Sequence, residues 1–168
     1  GDKLMGGPQA GIIAGKAKHI QALKKHPFLR ALRCDKLILS ALQHTAEAYL
    51  HNHTDNLPIH KLLKIALPQL KRRANKLAKA LDDLPSTITV SDGKSQIGGG
   101  ALPQALLPSV TLDFVPDKMG LNEFAAKLRR AIVPVIGVIN DQRLRLDLRT
   151  VLPEQEKNLI ESIQQSLK

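Results

Sequence analysis

Hydrophobic and polar positions change their spacing along this chain, and the changes divide it. Residues 1–15 read as a glycine-bearing turn, then a short apolar strand at Ile12, Ile13 and Ala14 closed by Gly15. A short helix carrying Ile20 and Leu23 follows and stops near residues 26–27, where His precedes Pro. Ile38, Ala41, Leu42, Thr45 and Tyr49 fall on one helical face, with Asp35 placed to cap that helix. The polar stretch HNHTDNLP at 51–58 ends it. A long helical segment from about Ile59 to Leu84 is then predicted, interrupted or kinked at Pro68. Its second half puts Leu70, Ala74, Leu77 and Leu81 on one side and Arg72, Arg73, Lys76 and Lys79 on the other, a basic face turned to solvent.

Beyond Pro85 the period shortens to two. TITVSD and SQIGGG read as two short strands, and SVTLDFV alternates Val110, Leu112 and Phe114 with Thr111 and Asp113. A helix carries Leu121, Phe124, Ala125, Leu128 and Ile132. VIGVIND and RLRLDLRT form two more strands around a tight polar turn. In the second, Leu144, Leu146 and Leu148 are expected inward, with Arg143, Arg145, Asp147 and Arg149 on the wet face. A last helix from Glu154 buries Leu159, Ile160, Ile163 and Leu167. The fold class is therefore α/β, with residues 85–168 as a compact unit of strands carrying helices on one side.

Composition narrows what such a chain can do. Aromatic residues make up 2% of it, one Tyr, three Phe and no Trp, so the core must be aliphatic and base stacking has little material. The net charge is +10, from 25 Lys and Arg against 15 Asp and Glu, which favours polyanionic partners without specifying which. One cysteine, Cys34, excludes an internal disulfide and fits a reducing compartment. With no apolar run near the ~20 residues a membrane span needs and no signal-peptide pattern, a cytoplasmic protein is expected.

Several tempting motifs fail. HNH at 51–53 matches a nuclease signature by letters only, in a polar loop without strand context. The six histidines make no HExxH pattern, so no zinc site is expected. Gly98, Gly99 and Gly100 are not followed by GK[ST] and read as a turn rather than a phosphate loop. No G-x-S-x-G elbow appears. Two sites survive. Lys3 lies beside Asp2 in GDKLMGGPQAG, where Gly6 and Gly7 permit unusual backbone angles and close approach of a ligand. A lysine so placed is a candidate for covalent bonding to a carbonyl. Arg30 and Arg33 in KKHPFLRALRCDK are three apart, so one helical turn would aim both guanidinium forks at one anion.

The motifs GDKLMGGPQAGIIAGK, KKHPFLRALRCDK, SQIGGGALP with LPSV, and PVIG followed by RLRLDLRTV occur in this order. Together they resemble the C-terminal portion of the bacterial selenocysteine synthase family, the L-seryl-tRNA(Sec) selenium transferases. The resemblance spans essentially the whole chain and implies a fold-type I pyridoxal phosphate enzyme. Residues 1–57 would be the C-terminal edge of the large cofactor-binding domain, 58–84 a linking helix, and 85–168 the small C-terminal α/β domain with a mostly antiparallel sheet. It also implies Lys3 as the catalytic, cofactor-attaching lysine, Gly6 and Gly7 as cofactor-binding, and Arg30 and Arg33 as anion-binding. The implied reaction converts seryl-tRNA(Sec) to selenocysteyl-tRNA(Sec) with selenophosphate, through an aminoacrylyl intermediate. The implied assembly is a homo-oligomer of dimers in a ring. On this reading the chain is a truncated piece, inactive alone.

Two positions depart from the family pattern. Cys34 stands where the family has valine, and Val138 where arginine follows PVIG. Two other readings compete: a paralogue acting on a small phosphorylated amine, and a basic tRNA-binding module without chemistry, supported by the Arg72–Lys79 face.

Overall fold

The computed structural model describes residues 1–3, 5–98 and 102–168, and its backbone contacts group them into two compact units, residues 1–61 and 62–168. The division falls inside one short helix.

The first unit is helical. Helix α1 (Ala17–Lys25) and the single turn α2 (Leu29–Leu32) bury no side chain. Helix α3 (Lys36–Leu50) starts where the Asp35 carboxylate accepts from the Ile38 N–H at 2.9 Å, one of the orphan donors of a helix start. Its inward face carries Thr45 and Ala48. A 3-10 turn (Thr54–Asn56) leads to α4 (Pro58–Lys64). Residues 12–14 form no strand, and Ile12 and Ile13 are 56% and 70% exposed. A strand needs a neighbour for its N–H and C=O groups, and every ladder among the described residues lies in the second unit.

The second unit is α/β. Its four strands, β1 (Ser86–Gly98), β2 (Leu102–Pro116), β3 (Val138–Asn140) and β4 (Arg143–Asp147), lie in the order β1-β2-β4-β3 with every pairing antiparallel. Helices α5 (Leu67–Ala80), α6 (Leu121–Arg130) and α7 (Glu156–Leu167) supply the other half of its core. Leu70, Ala74, Leu77 and Leu81 meet Val110, Leu112 and Phe114 of β2, Leu144 and Leu146 of β4, Phe124 and Leu128 of α6, and Ile163 of α7. The Phe114 and Phe124 rings lie 5.9 Å apart at 55°, a tilted pair of the kind worth about 1 kcal/mol beyond its burial.

The expected TITVSD and SQIGGG strands are one strand. Gly93 and Lys94, the residues between them, pair with Ser109 and Pro108 in an unbroken ladder, which shifts register only between Gln96 and Gly98. Gly99 and Gly100 lie outside the described residues. The segment 59–84 is two helices, parted at residues 65–66 with Pro68 in the first turn of α5, where its missing N–H costs nothing. Helix α6 ends at Arg130, so Ile132 is 86% exposed and outside the core; Pro134 disfavours helix at the residue before it. The β3–β4 turn holds Asp141 and Gln142 at φ 48° and 58°, the two-residue hairpin geometry that matches strand twist. Helix α7 begins at Glu156, after a 3-10 turn (Pro153–Gln155).

Arg149 reverses its expectation most sharply. β4 stops at Asp147, and Leu148–Thr150 form a 3-10 turn that carries Arg149 inward to 6% exposure. Its Nη1 donates to the carbonyls of Leu62, Leu63 and Ile65 at 3.0, 3.2 and 2.9 Å, and Nη2 to that of Pro108 at 2.7 Å. Three of those acceptors end or follow α4, where free carbonyls and the helix dipole favour a cation. Asp147 sets the turn: it accepts from the Arg149 N–H at 3.0 Å, from Ser109 Oγ at 2.5 Å and from Ser95 Oγ. On the same sheet face Asp113, 1% exposed, accepts from Thr111 Oγ1 at 2.8 Å and pairs with Arg145 at 3.4 Å and Arg143 at 3.8 Å.

Arg149→Ala strips four carbonyls of their donor, and lost charge-assisted bonds of this kind cost about 1.5–3 kcal/mol each before relaxation. The expected loss is at least about 3 kcal/mol in urea unfolding of the second unit. Arg149→Lys, with charge but no fork, should fall between. A loss below about 1 kcal/mol for the alanine variant would show the guanidinium to be dispensable.

Candidate functional site

The segment 1–10 owes its shape to α3 and α4. Gly6 has φ +74°, and a Cβ there would sit 2.4 Å from Ile59 Cγ2. A Cβ on Gly7 would approach Thr45 Oγ1 to 2.9 Å. Both glycines are thus explained by close packing on the helices, and the Gly6 angle is one that other residues rarely adopt. The Gly7 N–H donates to the Gly1 carbonyl at 3.2 Å, and the Gly1 nitrogen donates to the Ala10 carbonyl at 2.7 Å.

A tyrosine fastens this loop. The Tyr49 hydroxyl lies 3.1 Å from the Met5 carbonyl and 2.6 Å from His60 Nε2. A carbonyl can only accept, so Tyr49 donates to Met5, and His60 Nε2–H then donates to Tyr49. The rings meet edge to face, with centroids 5.3 Å apart. The sequence reading placed Tyr49 on the inward face of α3 but gave it no part in the site. The available signal was its place one turn beyond Thr45 on that face, as the one tyrosine of the chain.

Lys3 projects from this loop with its side chain 72% exposed, and its Nζ lies 3.2 Å from Asp2 Oδ2. The Lys3 ammonium is the main cause, with a backbone N–H second, that holds the Asp2 carboxyl below its ordinary value. Arg30 sits in α2 and Arg33 is the residue that ends it. Both are exposed, and among the described residues neither guanidinium has a hydrogen-bond or ion-pair partner. Arg33 lies just past the single turn, with φ −68° and ψ 138°, so the two arginines do not share a helical segment. No hydrogen bond or ion pair among the described residues joins them to the Lys3 loop.

The second unit holds a cavity of about 250 Å³ lined by residues 133–136 with Leu146, Thr150, Gln155 and Asn158. Its lining includes Pro134, Val135 and Ile136 of the PVIG motif but none of Lys3, Gly6, Gly7, Arg30 and Arg33. Val138 lies on edge strand β3, 68% exposed. Among the described residues no cluster of His, Cys, Asp or Glu is arranged to hold a metal ion, and no helix is long and apolar enough to cross a membrane.

Comparison with known proteins adds to this geometry. The sequence profile of the L-seryl-tRNA selenium transferases matches residues 1–152. The L-seryl-tRNA(Sec) selenium transferase of Aquifex aeolicus is 39% identical over 99% of the chain, and that of Geobacter sulfurreducens is 40% identical over 98%. The Klebsiella pneumoniae protein of the same name is 45% identical over 92%. The chain spans 37%, 37% and 35% of the length of these three relatives.

Two measurements check the loop. In Tyr49→Phe the Met5 carbonyl and His60 both lose their partner, at a cost of about 1–3 kcal/mol; amide exchange at Met5, Gly6 and Gly7 should accelerate at least fivefold. Unchanged exchange there means the hydroxyl fastens nothing. The Asp2–Lys3 pair should persist as pH falls to below the ordinary Asp range and break through the lowered Asp2 midpoint. By carboxyl NMR, Lys3→Ala should move that midpoint upward, and a midpoint that stays put refutes the pairing.

Proposed function

The chain belongs to the L-seryl-tRNA selenium transferase family, and from that membership we propose that it carries the lysine and anion site of a pyridoxal phosphate-dependent transferase. The enzyme replaces the β-hydroxyl of a seryl group on tRNA(Sec) with selenium from selenophosphate. In atoms, the β-hydroxyl leaves as water, selenium bonds to the β-carbon, and water takes up the phosphorus as phosphate when the selenium–phosphorus bond breaks. On this reading residues 1–57 are the edge of the large domain of a fold-type I enzyme. Residues 58–84 are its link, and 85–168 its small domain.

Lys3 is the observation that carries the proposal: a largely exposed amine, with Asp2 beside it, on a loop that Tyr49 and His60 hold in place. The donor chemistry fits the cofactor, since a free primary amine is what bonds its carbonyl. When bound, pyridoxal phosphate supplies an electron sink at the substrate's α-carbon. Lys3 would attach it and then, released, move the proton at the seryl α-carbon. Gly6 and Gly7 would serve by shape, because the space a side chain would take is filled by Ile59 and Thr45. They bring the backbone onto the helices and aim the lysine, a role different from cradling a phosphate.

Arg30 and Arg33 would hold the phosphate-bearing donor. Two guanidinium groups without partners among the described residues are available to an oxyanion, and their planar forks suit one. As the selenium–phosphorus bond breaks, they would stabilise the departing phosphate. An assembly in which further chain segments or subunits complete the site is part of the same proposal, as is a cytoplasmic location.

Borohydride reduction after incubation with pyridoxal phosphate, followed by peptide mapping, tests the attachment. One dominant adduct on Lys3, lost in Lys3→Ala, is expected; label spread over the other lysines contradicts it. In the active enzyme, Arg30→Gln with Arg33→Gln should raise the KM for selenophosphate at least tenfold, in line with about 1.5–3 kcal/mol per charge-assisted bond. The KM for seryl-tRNA should hold. Equal rises for both substrates would assign the arginines elsewhere.

A further inference from the structure

Helix α5 carries five cations, Lys71, Arg72, Arg73, Lys76 and Lys79, and no acid in its 14 residues. A helix face that is merely solvated gains from alternating charges four apart, whereas like charges at that spacing repel. Arg72 and Lys76 are such a pair. Two of the five cations have structural work. Arg73 turns inward, 10% exposed, bonding Glu156 at 2.5 Å and the Val151 carbonyl at 2.6 Å. Lys71 pairs with Asp92 at 3.0 Å. Arg72, Lys76 and Lys79 have no ion-pair partner among the described residues.

Lys76 also lines a shallow groove of about 290 Å³ between α5 and the start of α7, with Leu77, Ala80, Pro153, Glu156, Lys157 and Ile160. Its one acid, Glu156, is taken up by Arg73. Lys157 is 87% exposed and only loosely paired, 3.9 Å from Glu161. The groove thus presents two lysines over an apolar floor, with Arg72 one turn before Lys76. Asp82 and Asp83 follow Lys79 in sequence past the helix end, and Glu154 follows Pro153 of the groove lining.

We propose that the α5–α7 groove is a contact for the phosphate backbone of RNA, made by Arg72, Lys76 and Lys157. This rests on the reading of the substrate as a tRNA and adds where the chain grips it, away from Lys3. The contact is to phosphates rather than bases: both aromatic residues of this unit, Phe114 and Phe124, are fully buried, so nothing stacks. Recognition here is insensitive to base sequence and strongly salt-dependent.

The test is binding of a tRNA transcript to the chain across a salt series, compared with Lys76→Gln/Lys157→Gln, Lys76→Arg/Lys157→Arg and the control Lys94→Gln/Lys127→Gln. Losing two phosphate contacts should lower the slope of log K against log salt by about 1.4–1.8. The arginine pair should restore it and the control should leave it within about 0.5. An unrelated tRNA should show the same loss. No RNA binding by the unaltered chain, an unchanged slope in the glutamine pair, or an equal drop in the control would each overturn the groove. Lys3 labelling by pyridoxal phosphate separates the two readings: intact labelling with an unchanged slope sinks the groove alone. A lowered slope with no Lys3 label sinks the cofactor reading alone.

Discussion

A guanidinium with no carboxylate partner decides how the larger unit is put together. Burying a charge is costly unless its hydrogen bonds are replaced, and the two terminal nitrogens of Arg149 replace them with four backbone carbonyls, its Nε alone lacking a partner among the described residues. Those carbonyls come from the end of α4 and from β2, so the helix end, the strand and the turn after β4 must converge for the charge to be tolerated. Asp147 makes the convergence stereospecific. By taking the Arg149 N–H and two serine hydroxyls at once, it fixes the turn from which the arginine points inward. An aliphatic core with two aromatic rings gives this unit its cohesion; the arginine and aspartate select one arrangement of it.

The smaller unit obeys the same rule at lower stakes. Its helices α1 and α2 bury nothing, and the loop near Lys3 is held by two backbone hydrogen bonds, by glycine packing and by one hydroxyl shared between a histidine and a backbone carbonyl. Gly6 and Gly7 let the loop lie close enough for that hydroxyl to reach. Sequence, packing and chemistry meet here. Gly6 and Gly7 pack against Ile59 and Thr45, and the Lys3 side chain near them stays largely exposed.

Local signals carried the reading of the sequence where local physics was decisive. Asp35 capped α3, alternation marked β4, and the helical spacing of Leu121 to Leu128 marked α6. Misreadings came where a distant partner outvoted the local preference. Gly93 and Lys94 were drawn into a long ladder by β2, and Ile12 and Ile13 found no strand to pair with. Arg149 continued an alternating pattern on paper, but the chain turned two residues earlier and its acceptors lie 41 to 87 residues away. Lys3, Arg30 and Arg33 could be named because their motifs occur together, whereas the part played by Tyr49 is visible only in three dimensions.

The proposal about Lys3 joins the two halves of that account: its amine would react with a carbonyl cofactor because a fastened loop presents it. The rate at which pyridoxal phosphate captures Lys3, followed by absorbance in the unaltered chain and in Tyr49→Phe, tests it directly. Capture at the same lysine but several-fold slower in the variant is the predicted result, since ordering the loop then falls within the reaction. Equal rates in the two proteins would contradict it.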